Sequence, residues 1–216
     1  MGIEGFSLYQ VSPWMRSKLK HSSQLWYVFT SAKDISNSED WNEVKWHFRR
    51  GLVLESESQE DILRVLEEAR YSDELSLELG WGFLHFYLSA DWQAYNEEWQ
   101  HRNQFEDSGD RFPLLSKHPA NNLLLVDAFT TGTYMPYDRY VSYYTSNEVQ
   151  QLGKAVLTVF QEDFESRLNQ IQCLGKDVTI YRGNREHYFN QYFEEFADFY
   201  KDAATAGKSV ILQAIC

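Results

Sequence analysis

Two cysteines among 216 residues, Cys173 and Cys216, are too few for a disulfide framework, and that scarcity fits a reducing compartment. Long apolar runs are missing too: no stretch approaches the roughly 20 residues of a membrane-spanning helix, which excludes an integral membrane protein of that kind. The opening MGIEGFSLYQ lacks the basic and apolar blocks of a secretory leader. Phe6 also stands where a myristoylation motif wants Ser or Thr. A cytoplasmic location is therefore expected.

Catalytic signatures are equally scarce. There is no H-E-x-x-H, no C-x-x-C, no G-x-G-x-x-G and no G-x-S-x-G. The six histidines include no pair at the i, i+4 spacing that sets two imidazoles on one helical face, so a zinc site is not expected. Gly207-Lys208-Ser209 imitates the end of a phosphate-binding loop, but Asp202 occupies the place of its first glycine. Tyr181-Arg182-Gly183 is similar to the arginine strand of ADP-ribosyltransferases, and the thirty-four residues after Arg182 lack the motifs those enzymes place downstream. No catalytic residue, metal or cofactor is assigned.

What the chain does have is acid, unevenly spread. Residues 1–50 carry seven cations against five carboxylates, and residues 111–216 carry ten against twelve. Residues 51–110 carry only Arg64, Arg70 and Arg102 against fifteen carboxylates, a balance of −12 that equals the net charge of the whole chain. Nucleic-acid binding, which rests on cations displacing counterions from phosphates, is disfavoured, and so is a lipid surface. An acidic surface steers basic proteins towards itself, or simply keeps a domain soluble. Aromatics reach 16% of the chain, which opposes disorder and serves cores and interfaces alike.

Periodicity and capping signals outline the elements. Ile3–Val11 reads as a strand, followed by a helix that Ser12 caps and Pro13 opens. Gln24–Thr30 reads as a second strand, and Ser36–Asp40 as a loop. Ser58 caps a helix to Arg70 with Ile62, Val65, Leu66 and Ala69 on one face. The spacing of Leu77, Trp81, Leu84 and Leu88 predicts a helix over Glu74–Ser89. Residues 91–121 have the composition of an exposed insertion. Strands are expected at Asn122–Phe129, Tyr140–Tyr144 and Val178–Tyr181. Thr145 and Glu148 form a capping box for a helix, and a helical stripe continues through Phe164, Leu168 and Ile171. A long helix over Arg185–Ala206 ends at Gly207, and Lys208–Ile215 closes the chain as a strand. Neither a repeat nor a linker interrupts this order. The expected fold is α+β: a single domain over residues 1–216, a mixed sheet packed against several helices, and a long C-terminal helix followed by a final strand.

Four segments in this order carry a family resemblance: Met1-Gly2-Ile3-Glu4-Gly5, Trp81-Gly82-Phe83-Leu84-His85-Phe86, Tyr144-Thr145-Ser146-Asn147-Glu148-Val149, and Tyr192 to Ile215. Together they resemble the YfbM-like family of bacterial domains of unknown function. There an MGI start, a W-x-x-L-H helix, a Y-L-T-P-E-E-V capping box and a final A-x-x-G-K-x-V strand recur. This chain departs at Tyr144, at Ser146-Asn147 and at Arg182, and its extra length falls near 31–57 and 91–121. The resemblance implies a cytosolic α+β domain and supplies no activity.

Two functional readings follow. The first is a non-catalytic protein-binding domain, of the kind found in immunity proteins and antitoxins, that meets a basic protein through an acidic surface. Its residues are Trp92, Glu97, Glu98, Trp99, Glu106, Asp107 and Asp110. The second is an enzyme or small-ligand binder with a pocket at Trp81 and His85, lined by Tyr144 and Tyr181. In that reading His85 acts as a general base or a ligand-binding group, because imidazole titrates near neutral pH. The plainer role for His85 is a half-buried histidine satisfied by a neighbouring carbonyl or carboxylate. A homo-oligomeric structural protein is a third reading that rests on aromatic content alone, and the sequence leaves the oligomeric state open.

Overall fold

A computed structural model describes residues 4–35, 39–50, 52–77, 84–85, 87–88, 114–117, 122, 124–129, 132–160 and 185–215. Five strands form one sheet: β1 (Gly5–Val11), β2 (Glu74–Leu77), β5 (Thr133–Met135), β6 (Asp138–Tyr144) and β7 (Ser209–Ile215), in the order β2-β1-β7-β6-β5. Two short strands, β3 (Leu115–Lys117) and β4 (Leu124–Val126), pair separately. The α+β class, with a helix leading into a last strand, is therefore the observed one. The sheet is antiparallel at every pairing rather than mixed. Apolar alternation reports burial and not strand direction, so the sequence had no means of separating the two.

Side chains alternate across the sheet, and both sides are covered. Phe6, Leu8, Leu77, Tyr144, Val210 and Leu212 point into one core with α6 (Ser146–Phe160) and α7 (Arg185–Thr205). Val11, Val141, Tyr143 and Ile211 point into a second core. That core is completed by α1 (Pro13–His21), α2 (Ser23–Thr30), α3 (Trp41–Phe48), α4 (Val53–Ser56) and α5 (Gln59–Arg70). The result is three layers, helices on either side of one sheet, which explains why β1 and β7 are buried on both faces.

The caps read from the sequence hold. Ser12 Oγ accepts from the Met15 N–H at 3.0 Å ahead of Pro13, and Ser58 Oγ accepts from Asp61 at 3.1 Å. Ile62, Val65, Leu66 and Ala69 are buried on α5 as their spacing requires. At α6 both arms of the capping box form: Glu148 N–H donates to Thr145 Oγ1 at 3.3 Å, and the Glu148 carboxylate accepts from Thr145 N–H at 2.7 Å. Gly207 takes φ +63° after α7. Lys208 N–H then donates to Ala203 O at 2.8 Å and Gly207 N–H to Ala204 O at 3.3 Å, the paired bonds of a left-handed helix stop.

Two segments differ from their expected form. Gln24–Thr30 is the helix α2, not a strand. Its aromatic and β-branched composition favours a strand, but Ser22 Oγ caps Leu25 N–H at 3.0 Å, and Leu25, Trp26, Val28 and Phe29 all enter the second core. Tertiary burial at helical spacing overrides propensity here. The Glu74–Ser89 helix is replaced at its start by β2, which pairs with β1 from Phe6↔Leu77 to Tyr9↔Glu74. An unpaired β1 would expose a row of backbone groups, and covering it outweighs the helical spacing of the leucines. Residues 84–85 and 87–88 keep helical geometry.

Among the described residues of Asn122–Phe129 only Leu124–Val126 is strand. Segment 31–57, read as extra length, contributes Val44, Phe48 and Val53 to the second core. Asp40, placed in a loop, is the N-cap of α3, accepting from Asn42 N–H at 2.8 Å. The strand at Val178–Tyr181, the stripe at Phe164–Ile171 and residues 91–113 lie outside the described residues.

Candidate functional site

The pocket proposed from sequence divides unevenly. Trp81 and Tyr181 lie outside the described residues. His85 and Tyr144 are described, and neither has exposed surface. The His85 ring stands edge-on to Phe129, with centroids 5.8 Å apart. Phe129 in turn contacts Phe6 of β1 at 5.5 Å and stacks on Phe196 of α7 at 5.3 Å, and Phe196 meets Tyr200 one helical turn on at 4.9 Å. His85 therefore joins an aromatic column that locks β1, the turn after β4 and α7 together.

That turn is built by Asp127. Its carboxylate accepts from Phe129 N–H at 3.1 Å, an Asx-type bend that turns the Phe129 ring back into the core. The Tyr200 hydroxyl donates to Ala128 O at 3.4 Å within the same bend. Complete burial, and secondarily the nearby Asp127 charge, push the Tyr200 phenol above the usual tyrosine range. A phenol held neutral and an imidazole shut from solvent suit packing better than proton transfer to a substrate. Tyr144 ends β6 opposite Val210 in the same core. Among the described residues no group of three or more His, Cys, Asp or Glu side chains is placed to hold a metal ion.

The acidic reading fares differently. Trp92, Glu97, Glu98, Trp99, Glu106, Asp107 and Asp110 all lie outside the described residues. The carboxylates in the described part of the acidic segment, residues 52–77, differ in their surroundings. Glu55, Glu60, Glu67 and Asp73 face solvent, and Glu74 pairs with Lys33 Nζ. Glu57, Asp61 and Glu68 are half-buried and engaged: Glu68 accepts from Ser12 Oγ at 2.8 Å and also from Ser12 N–H, Asp61 accepts from Lys18 Nζ at 2.8 Å, and Glu57 accepts from Ser22 Oγ.

Both α1 and α2 lack an acidic residue in their first turn. Glu68 and Glu57 supply that charge from outside, where the positive ends of the helix dipoles favour it. Sequence reasoning missed these pairs, because 56 and 35 residues separate the partners.

The fold and site thus define a three-layer α+β domain in which His85 and Tyr144 are buried, and whose described acidic segment is in part structural. The chain belongs to the family described as a domain of unknown function (DUF1877), whose profile matches residues 6–213. Comparisons with curated proteins and with solved structures return no match. No helix among the described residues is long and apolar enough to cross a membrane.

Proposed function

We propose that this chain is a YfbM-like, non-catalytic, cytoplasmic protein-binding domain that occludes a basic protein through an acidic surface, in the manner of an immunity protein or antitoxin. The observation that carries the reading is the concentration of all the net charge, −12, in residues 51–110. Part of that segment, Glu55, Glu60, Glu67 and Asp73, meets solvent, and exposed charge of one sign accelerates encounter with a partner of the other. The burial of His85 and Tyr144 gives the alternative, a pocket shared with Trp81 and Tyr181, less support.

Capture on the immobilised chain from native cell extract, at low and high salt with mass-spectrometric identification, tests the proposal. The expected result is a stoichiometric basic protein that is lost at high salt. It is also lost when Glu97, Glu98, Glu106, Asp107 and Asp110 are changed together to Lys. Undiminished capture by that reversed chain would overturn the interface.

A further inference from the structure

Helix α1 (PWMRSKLKH) holds Arg16, Lys18 and Lys20 and no carboxylate. Lys18 is neutralised by Asp61 of α5 at 2.8 Å. Arg16 and Lys20 form no ion pair among the described residues, although the chain carries 32 carboxylates. They stand one helical turn apart and converge on one ring of the sheet. The Arg16 guanidinium lies 5.4 Å, and Lys20 Nζ 5.7 Å, from the ring centroid of Tyr143 of β6. Arg16 Nε is shut from water and has no hydrogen-bond acceptor, yet both cationic side chains are only half-buried and so remain reachable.

Carboxylates of the adjoining elements are engaged with other groups. Glu68 accepts from Ser12 at the start of α1, Asp138 of β6 accepts from Tyr140 N–H at 2.8 Å, and Glu148 of α6 accepts from Thr145 N–H at 2.7 Å. Two like charges at i, i+4 repel each other, and a buried guanidinium N–H without an acceptor is unfavourable. The tyrosine face offsets part of this by cation–π attraction, but it supplies no acceptor oxygen.

We propose that Arg16 and Lys20 bind one small tetrahedral oxyanion of the phosphate class, free or as the terminal group of a small ester. The planar fork of Arg16 suits two oxygens of such an anion, and the Lys20 ammonium suits a third. Thr133 of β5 is paired with Tyr143, so this half-buried hydroxyl residue stands on the same face of the sheet as the ring and is the neutral donor nearest in register. Two cations on a chain of net charge −12 suit a single small anion, whereas a nucleic acid or an anionic membrane needs a broad cationic surface. The Tyr143 ring is buried, so no flat group stacks on it and recognition rests on the oxyanion itself. The site shares no residue with the carboxylates invoked for protein capture.

Isothermal titration calorimetry of the whole chain with inorganic phosphate and with glycerol phosphate, in chloride at matched ionic strength, tests it. One saturable site is expected. Binding of inorganic phosphate alone identifies the free ion as the ligand; binding of the ester as well, or instead, identifies a phosphorylated small molecule. Arg16→Met and Lys20→Met keep an aliphatic stem against Tyr143, and each is expected to weaken binding by about tenfold or more. Lys18→Met, on the same helix but paired with Asp61, is expected to leave the affinity unchanged. No saturable heat at millimolar concentrations of either probe would overturn the proposal. So would affinities indifferent to the loss of Arg16 and Lys20, or lowered equally by the loss of Lys18. Circular dichroism checks that each variant folds, and should Arg16→Met fail to do so, Lys20→Met decides alone.

Discussion

Glu68 of α5 closes the first turn of α1 by accepting from both the backbone N–H and the hydroxyl of Ser12. Ser12 meanwhile caps Met15 N–H, so one serine ties a local cap to a contact 56 residues away. The arrangement repeats one helix later, where Glu57 accepts from Ser22, the cap of α2. The helical layer over the second core is thus fastened at its helix starts as well as by apolar packing.

A double-mutant cycle at this pair should show coupling. Ser12→Ala removes the cap and is expected to cost about 1 kcal/mol. Glu68→Gln weakens the charge-assisted bonds, at about 1–3 kcal/mol. Because both substitutions break the same contact, the double variant should cost clearly less than their sum. Urea unfolding of the four proteins measures this, and simple additivity would show that the contact contributes nothing.

Two glycines should respond to alanine for different reasons. A Cβ at Gly153 of α6 would lie 3.0 Å from the Tyr200 carbonyl and 3.1 Å from Ala204 Cβ of α7. Helix propensity favours alanine by about 1 kcal/mol, but the facing backbone has little room to yield, so Gly153→Ala is expected to destabilise by about 1–3 kcal/mol. At Gly207 nothing lies within 4 Å of an added Cβ, and the cost there is the left-handed φ of +63°, about 1–2 kcal/mol. Gly207→Asn should recover part of that loss and Gly153→Asn should not, as melting temperatures would show.

Alkaline stability should depend on the buried tyrosine. The folded state holds Tyr200 above its usual range by burial first and the Asp127 charge second, while the unfolded chain ionises near the ordinary value of about 10. A raised folded value means that the stabilisation is complete below about pH 10 and declines above it, by about 1.4 kcal/mol per pH unit for one such group. Tyr200→Phe should flatten the alkaline limb by that slope. Phenolate absorbance of the native protein should also show Tyr200 ionising only on unfolding. An unchanged limb in the phenylalanine variant would refute the assignment.

His85 is expected to report on stability and not on chemistry. His85→Ala removes a buried ring packed edge-on to Phe129, and truncation of a large core side chain costs about 2–5 kcal/mol. Protein that remains folded should still capture the basic partner. Full stability with lost binding would instead place His85 at the interface.

The local devices were legible in the sequence because their chemistry is local. The Ser12-Pro13 start, the Thr145–Glu148 box and the Gly207 stop each satisfy backbone groups within a few residues, so residue type and spacing suffice. The apolar face of α5 was legible for the same reason. Where burial decided the outcome, spacing misled. QLWYVFT carries the composition of a strand and folds as α2, and Leu77 leaves a helical stripe to pair with Phe6 of β1.

By itself, then, the sequence determined the α+β class, the helix boundaries set by caps, and the concentration of acid in one segment. Only the tertiary structure decided that the sheet is antiparallel, that His85 belongs to an aromatic core, and that Glu57, Asp61 and Glu68 fasten α1 and α2 while Glu60 and Glu67 face solvent. The reason is physical. A cap or a turn is satisfied within one stretch of chain, whereas strand direction, burial and the partner of a carboxylate depend on which distant segments the fold brings together.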